Sequence, residues 1–129
     1  MARIERFEDI RSWKKSRELT KQIYEITSQG DFKRDFGLRD QIRKASVSIL
    51  SNIAEGFERG GDQEFLQFLA VAKGSCGEVR AQLYVAYDQG YLARDKFELL
   101  SKSAQEVSGL ISAFMRYLRQ STLRGSKYR

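Results

Sequence analysis

Residues 38–55, LRDQIRKASVSILSNIAE, and residues 65–86, FLQFLAVAKGSCGEVRAQLYVA, decide how this chain folds. In the first, Leu38, Ile42, Ala45, Ile49 and Ile53 recur at the spacing of one helix face, and Gln41, Ser48, Asn52 and Glu55 run along its flank. In the second, Phe65, Phe68, Leu69, Ala72, Cys76, Val79, Leu83 and Ala86 form an apolar face edged by Ser75, Glu78 and Gln82. A strand pattern repeats every two residues, and neither stretch does so.

The second stretch carries a further row, Ala70, Gly74, Gly77 and Ala81, on a different side of the helix. Each interior glycine costs a helix about 1 kcal/mol relative to alanine, so two of them imply a return. Close approach of another helix supplies one, and the row is expected to be an oligomer interface.

Outward from this pair, turn residues mark two more helices. One is expected over 8–28, ending at Gln29-Gly30-Asp31, with Trp13, Ser16, Leu19, Thr20, Ile23 and Thr27 facing inward. The central helices are expected over 36–57 and 62–89, with Asp62 capping the latter and Gly90 in its left-handed stop position. The last is expected over 95–120, burying Leu100, Ala104, Val107, Ile111, Phe114 and Leu118. Short connections force neighbouring helices to run in opposite directions. The expected fold is therefore all-α, an antiparallel up-down-up-down four-helix bundle over residues 1–120, followed by a basic tail, 121–129, expected to be flexible.

Composition agrees. With 129 residues, 41% apolar and 31% charged side chains and no proline, the chain describes one helical domain with an adequate core. No apolar run approaches the roughly 18 residues of a membrane span, and the N-terminus lacks a signal peptide's apolar stretch, so a cytoplasmic location is expected. The single cysteine, Cys76, lies on an apolar face and is expected to be a buried, inert thiol.

Here the residues resemble a known family. The run from Ser48 through Asn52-Ile53-Ala54-Glu55-Gly56, then Phe65-Leu66-Gln67-Phe68-Leu69, Gly74-Ser75 with Glu78, and Gln89-Gly90-Tyr91-Leu92 are similar to the bacterial four-helix-bundle proteins named after 23S ribosomal RNA intervening sequences. The resemblance extends over about residues 7 to 118. It implies a ring of five bundles, nucleic-acid binding and no catalysis. A more distant likeness is to the accessory proteins of diversity-generating retroelements, which partner a reverse transcriptase and its template RNA. The family's prolines near positions 32 and 50 have no counterpart here, which bears on loop geometry.

Chemistry is constrained by what the chain lacks. Histidine is absent from all 129 positions, which removes the usual parts of triads, imidazole acid-base catalysis and histidine-containing bundle metal sites. No phosphate-cradling loop is present, because Arg59-Gly60-Gly61 has the wrong length and no lysine motif follows. No enzyme, no metal and no cofactor are expected. Ser48, Asn52, Glu55, Ser75, Glu78 and Gln82 are expected to meet in a hydrogen-bonded network that fixes helix register, a rival being that they lie at a subunit boundary or against a ligand.

The charge balance gives the functional lead. Lys and Arg number 23 against 17 acids, a net +6, and five such chains would carry about +30. Nucleic acid is the natural polyanion for such a field. The expected phosphate contacts are Arg11, Lys14, Lys15, Arg17 and Lys21 on the first helix and Arg119, Arg124, Lys127 and Arg129 at the other end of the chain. Tyr91, Tyr128 and Phe57 are candidates for stacking on unpaired bases, although aromatics near helix ends more often close a bundle. Three functions follow as candidates: a nucleic-acid-binding ring, an adaptor that docks a protein such as a reverse transcriptase, and a purely structural oligomer.

Overall fold

A computed structural model describes residues 4–123 as four helices: α1 (Arg11–Thr27), α2 (Phe36–Arg59), α3 (Asp62–Asp88) and α4 (Arg94–Leu123). No strand occurs among the described residues. The basic tail expected beyond the bundle falls mostly on residues 124–129, which lie outside those described.

Helix ends follow local chemistry, with two departures from expectation. The first helix starts later than residue 8, because Ile10 is extended (φ −74°, ψ 125°) and separates a 3₁₀ turn, Phe7–Asp9, from α1. That break lets Ile10 bury in the core. A second 3₁₀ turn, Gly30–Arg34, follows Gln29 and drives Phe32 into the core. Downstream, Asp35 caps α2 by accepting from the Leu38 amide at 3.1 Å. The expected cap at Asp62 is not formed: Gly61 holds the N-cap position of α3 with no side-chain bond, and Asp62 is already inside the first turn. There its carboxylate favours the positive end of the helix dipole instead. Gly90, at φ +78°, ends α3 in the left-handed conformation that a side chain disfavours.

Contacts between helices fix their directions. Ser48 meets Ser75 while Gly56, further along α2, meets Phe65 and Phe68, so residue numbers rise on α2 as they fall on α3. The same reversal relates α3 to α4, where Tyr84 touches Phe97 and Phe65 touches Phe114. It also relates α1 to α2, where Thr20 bonds the Ser46 carbonyl and Thr27 receives Arg43. Each helix packs on its sequence neighbours, α4 closes on α1, and the diagonals α1–α3 and α2–α4 are not packed pairs. This is the up-down-up-down bundle.

The core lies along the bundle axis. Ile23, Ile42, Ile49, Ile53, Leu69, Val79, Leu83, Leu100 and Ile111 are all fully buried, as the periodicity of the sequence requires. Helices α2 and α3 approach closely at Gly56, where a Cβ would stand 2.7 Å from both Phe65 Cδ1 and Phe68 Cβ. The glycine of the Asn-Ile-Ala-Glu-Gly run is thus explained by packing inside the subunit.

Candidate functional site

The polar flank of α2 and α3 assembles only in part. Ser48 Oγ and Ser75 Oγ lie 2.9 Å apart across the two helices, and Asn52 Nδ2 donates to the Ser48 carbonyl at 2.8 Å and to Ser48 Oγ at 3.0 Å. Glu55, Glu78 and Gln82 do not join them. Glu55 is exposed and accepts from Arg59 one turn on, at 2.9 Å, while the same guanidinium reaches Glu64 of α3 at 3.1 Å. Glu78 faces solvent, and Gln82 Oε1 is buried without a hydrogen-bond partner. The division has a physical reason: hydroxyls and an amide can share a half-dry seam, whereas carboxylates keep to water or to arginine.

The row Ala70, Gly74, Gly77 and Ala81 faces outward on α3, and a Cβ on either glycine would meet nothing within 4 Å. The protomer therefore does not use these glycines for its own packing. On the exposed side of α3, Val71, Tyr84, Val85 and Tyr87 supply four of the eight large hydrophobic side chains that are exposed among the described residues, interspersed with Lys73, Glu78 and Arg80. Tyr84 and Tyr87 both pack on Phe97, each with ring centroids 4.9 Å apart, and extend this surface toward the start of α4.

Diagonally across the bundle, α1 presents the opposite character. Arg11, Lys14, Arg17 and Lys21 are exposed, Lys15 is half-buried, and none of the five forms an ion pair among the described residues. Its first turn contains no acid, so Arg11, Lys14 and Lys15 crowd the positive end of the helix dipole. Cations there oppose the macrodipole, which makes the arrangement a cost to α1 and an attraction to anions.

Lys14, Arg17 and Lys21 turn toward α2 and line a groove of about 760 Å³ with Arg6, Trp13, Thr20 and Leu50, alongside Glu8 and Glu18. Four cations thus face two carboxylates. Arg6 is held by Glu8 and Asp9 at 3.9 and 3.7 Å. Trp13 packs on Phe7 in a T-shaped pair with ring centroids 5.1 Å apart, and Arg17 lies over its ring at 5.9 Å. The indole Nε1 is buried and makes no hydrogen bond.

The other expected phosphate contacts do not gather here. Lys15 lies on the opposite side of α1, in a seam with Ser103, Glu106 and Val107 of α4. Arg119 is exposed, but it follows Ser103 by sixteen positions, roughly 160° around the helix, and so points away from α1. Arg124, Lys127 and Arg129 lie outside the described residues, as does Tyr128. The two described aromatics read as stacking candidates are already engaged. Tyr91 stacks on Phe32 and donates to Asp35, and Phe57 packs on Phe65. Sequence reasoning placed Trp13 in the inner stripe and overlooked it as a groove wall. The signal was its spacing of four from Arg17, which sets a cation over an aromatic ring on one helix side.

Cys76 is buried and desolvation pushes its thiol up to about 12, which keeps it protonated. No cluster of three or more metal-ligating His, Cys, Asp or Glu side chains occurs among the described residues, and no described helix is long and apolar enough to cross a membrane.

The fold and its two contrasting faces define a small antiparallel four-helix bundle. The chain belongs to the family described as 23S rRNA-intervening sequence protein, whose model matches residues 8–113. It is similar in fold to a crystal structure from Bacteroides thetaiotaomicron, a protein of unknown function from the S23 ribosomal protein family, with a TM-score of 0.73 and 21% identity over 81% of this chain and 97% of that one. No curated protein matches the chain.

Proposed function

We propose that this protein is a non-enzymatic, self-associating bundle that holds nucleic acid by its phosphates through the cationic side of α1. The observation that carries the proposal is the run of cations without ion pairs among the described residues over the first three turns of α1, of which Arg11 and Lys14 sit in the first turn, where the helix dipole already repels them. Selection for stability alone would have put acids there. Net charge of +6 per chain reinforces the attraction, and self-association multiplies it. The α3 row is the surface for association. In the ring of five implied by the resemblance, this row of one copy meets a different face of the next.

Binding by phosphate contact is salt-dependent and weakly selective for sequence. Fluorescence anisotropy of a labelled RNA should show affinity falling at least about tenfold between roughly 50 and 200 mM salt. Lys14→Glu combined with Lys21→Glu should abolish the interaction at the higher salt. Tight binding that survives both the salt and the double charge reversal would sink the proposal.

A second use is favoured by the same α3 surface, which is uncharged along its central row and carries exposed Val71, Tyr84 and Val85. In that case the bundle acts as an adaptor, for example for a reverse transcriptase, and binds RNA weakly until its partner is supplied.

A further inference from the structure

The groove beside α1 does more than gather charge. We infer that it seats an unstacked base of a single-stranded nucleic acid, with its phosphates on the cationic rim; this rests on the nucleic-acid reading above and narrows it to one kind of strand.

The composition of the groove carries the inference. A surface that only neutralises phosphates needs cations and water, yet this one has Trp13 and Leu50 in its lining between Arg6, Lys14, Arg17 and Lys21. Leu50 belongs to α2 and is half-exposed there, so the apolar part comes from two helices. A volume of about 760 Å³ is ample for one nucleotide. Base pairs in a duplex keep their faces stacked, so a duplex can bring phosphates to the rim but no base into the groove.

Arg17 supplies the exchange. Its guanidinium lies 5.9 Å from the Trp13 ring centroid, a loose stack with no ion pair to hold it. When a strand arrives, the guanidinium turns to a phosphate and a base takes its place over the indole. The indole stays packed on Phe7, which holds the ring that receives the base.

Trp13 is the one tryptophan in the chain, so its emission reports on this groove alone. The full-length protein is titrated with a labelled single-stranded RNA of about 12 nucleotides, the single-stranded DNA of the same sequence, the matching duplex RNA, and inorganic polyphosphate. Anisotropy or competition measures binding, and tryptophan emission measures groove occupancy. Both single strands are expected to quench Trp13 and to bind about tenfold more tightly than the duplex, while duplex and polyphosphate leave the emission nearly unchanged. Leu50→Gln, with helical content checked by circular dichroism, is expected to remove the single-strand preference and keep polyphosphate binding. Binding of single strands without quenching, or equal quenching by polyphosphate, overturns the groove and leaves the phosphate-binding proposal standing. Absence of binding by every probe overturns both.

Discussion

The Tyr91 hydroxyl donates to Asp35 Oδ2 at 2.9 Å, joining the turn after α3 to the residue that caps α2 with its other carboxylate oxygen. Phe32 stacks on the same tyrosine, so one end of the bundle is closed by a polar contact laid against an apolar one. The bond to Asp35, then burial, raises the Tyr91 pKa above its ordinary 10.0. The folded state therefore holds this proton more firmly than the unfolded state. Its stabilising effect is complete below pH 10 and fades as pH rises through the higher folded value. Denaturant unfolding followed between pH 9 and 11.5 should show wild-type protein losing more stability than Tyr91→Phe. Equal losses would mean that the bond is not formed in solution.

Gly56→Ala should destabilise the protomer by about 1–3 kcal/mol, because its Cβ enters space held by Phe65 and Phe68 and no flexible side-chain end is there to yield. The size of the effect distinguishes packing from mere helix propensity, which would favour alanine by about 1 kcal/mol. Urea denaturation gives the sign directly.

Gly74→Leu and Gly77→Leu should leave the bundle folded, since nothing lies within 4 Å of either position, and should disrupt association by filling the α3 row. Sedimentation equilibrium should then detect a 14.9 kDa species in place of the assembly. An unchanged assembly in both variants would remove α3 as the contact surface.

Asn52→Ala should cost about 1 kcal/mol by releasing Ser48, and a double-mutant cycle with Ser75→Ala should show coupling of about 0.5 kcal/mol or more. RNA affinity should stay as it was, because Asn52 and Ser48 face α3 whereas Leu50 faces the α1 groove from another side of α2. A variant of full stability that no longer binds RNA would instead assign Asn52 to recognition.

Charge on α1 should be separable from stability. Lys14→Gln removes a cation that opposes the dipole at the start of α1 and Arg17→Gln one that forms no ion pair among the described residues, so melting temperature should rise slightly in the first and hold in the second while RNA affinity falls in both. Loss of both together would point to a structural role.

Much of the fold was legible because helix periodicity is a local property. Leu38 to Ile53 and Phe65 to Ala86 repeat every three or four residues, and Gly90 announces the end of α3 through its backbone freedom. The two 3₁₀ turns were not legible. Whether Ile10 and Phe32 interrupt a helix or prolong it depends on what they pack against, and that is remote in sequence. The candidate site was read unevenly for the same reason. The α1 cations were evident as a run, but a run does not say which members share a side.

By itself, then, the sequence determined four amphipathic helices, their order, their alternating directions, the row of small residues on α3 and an excess of positive charge. These depend on spacing, turn residues and composition, all of which act within a few residues of the chain. Tertiary structure alone decided that Gly56 and not Gly74 or Gly77 marks the tight helix contact inside the subunit, that Arg59 draws Glu55 out of the polar seam, and that Trp13 and Leu50 from different helices line one cationic groove. Such outcomes depend on rotation and separation between helices, and a shift of one residue in register would have undone each of them.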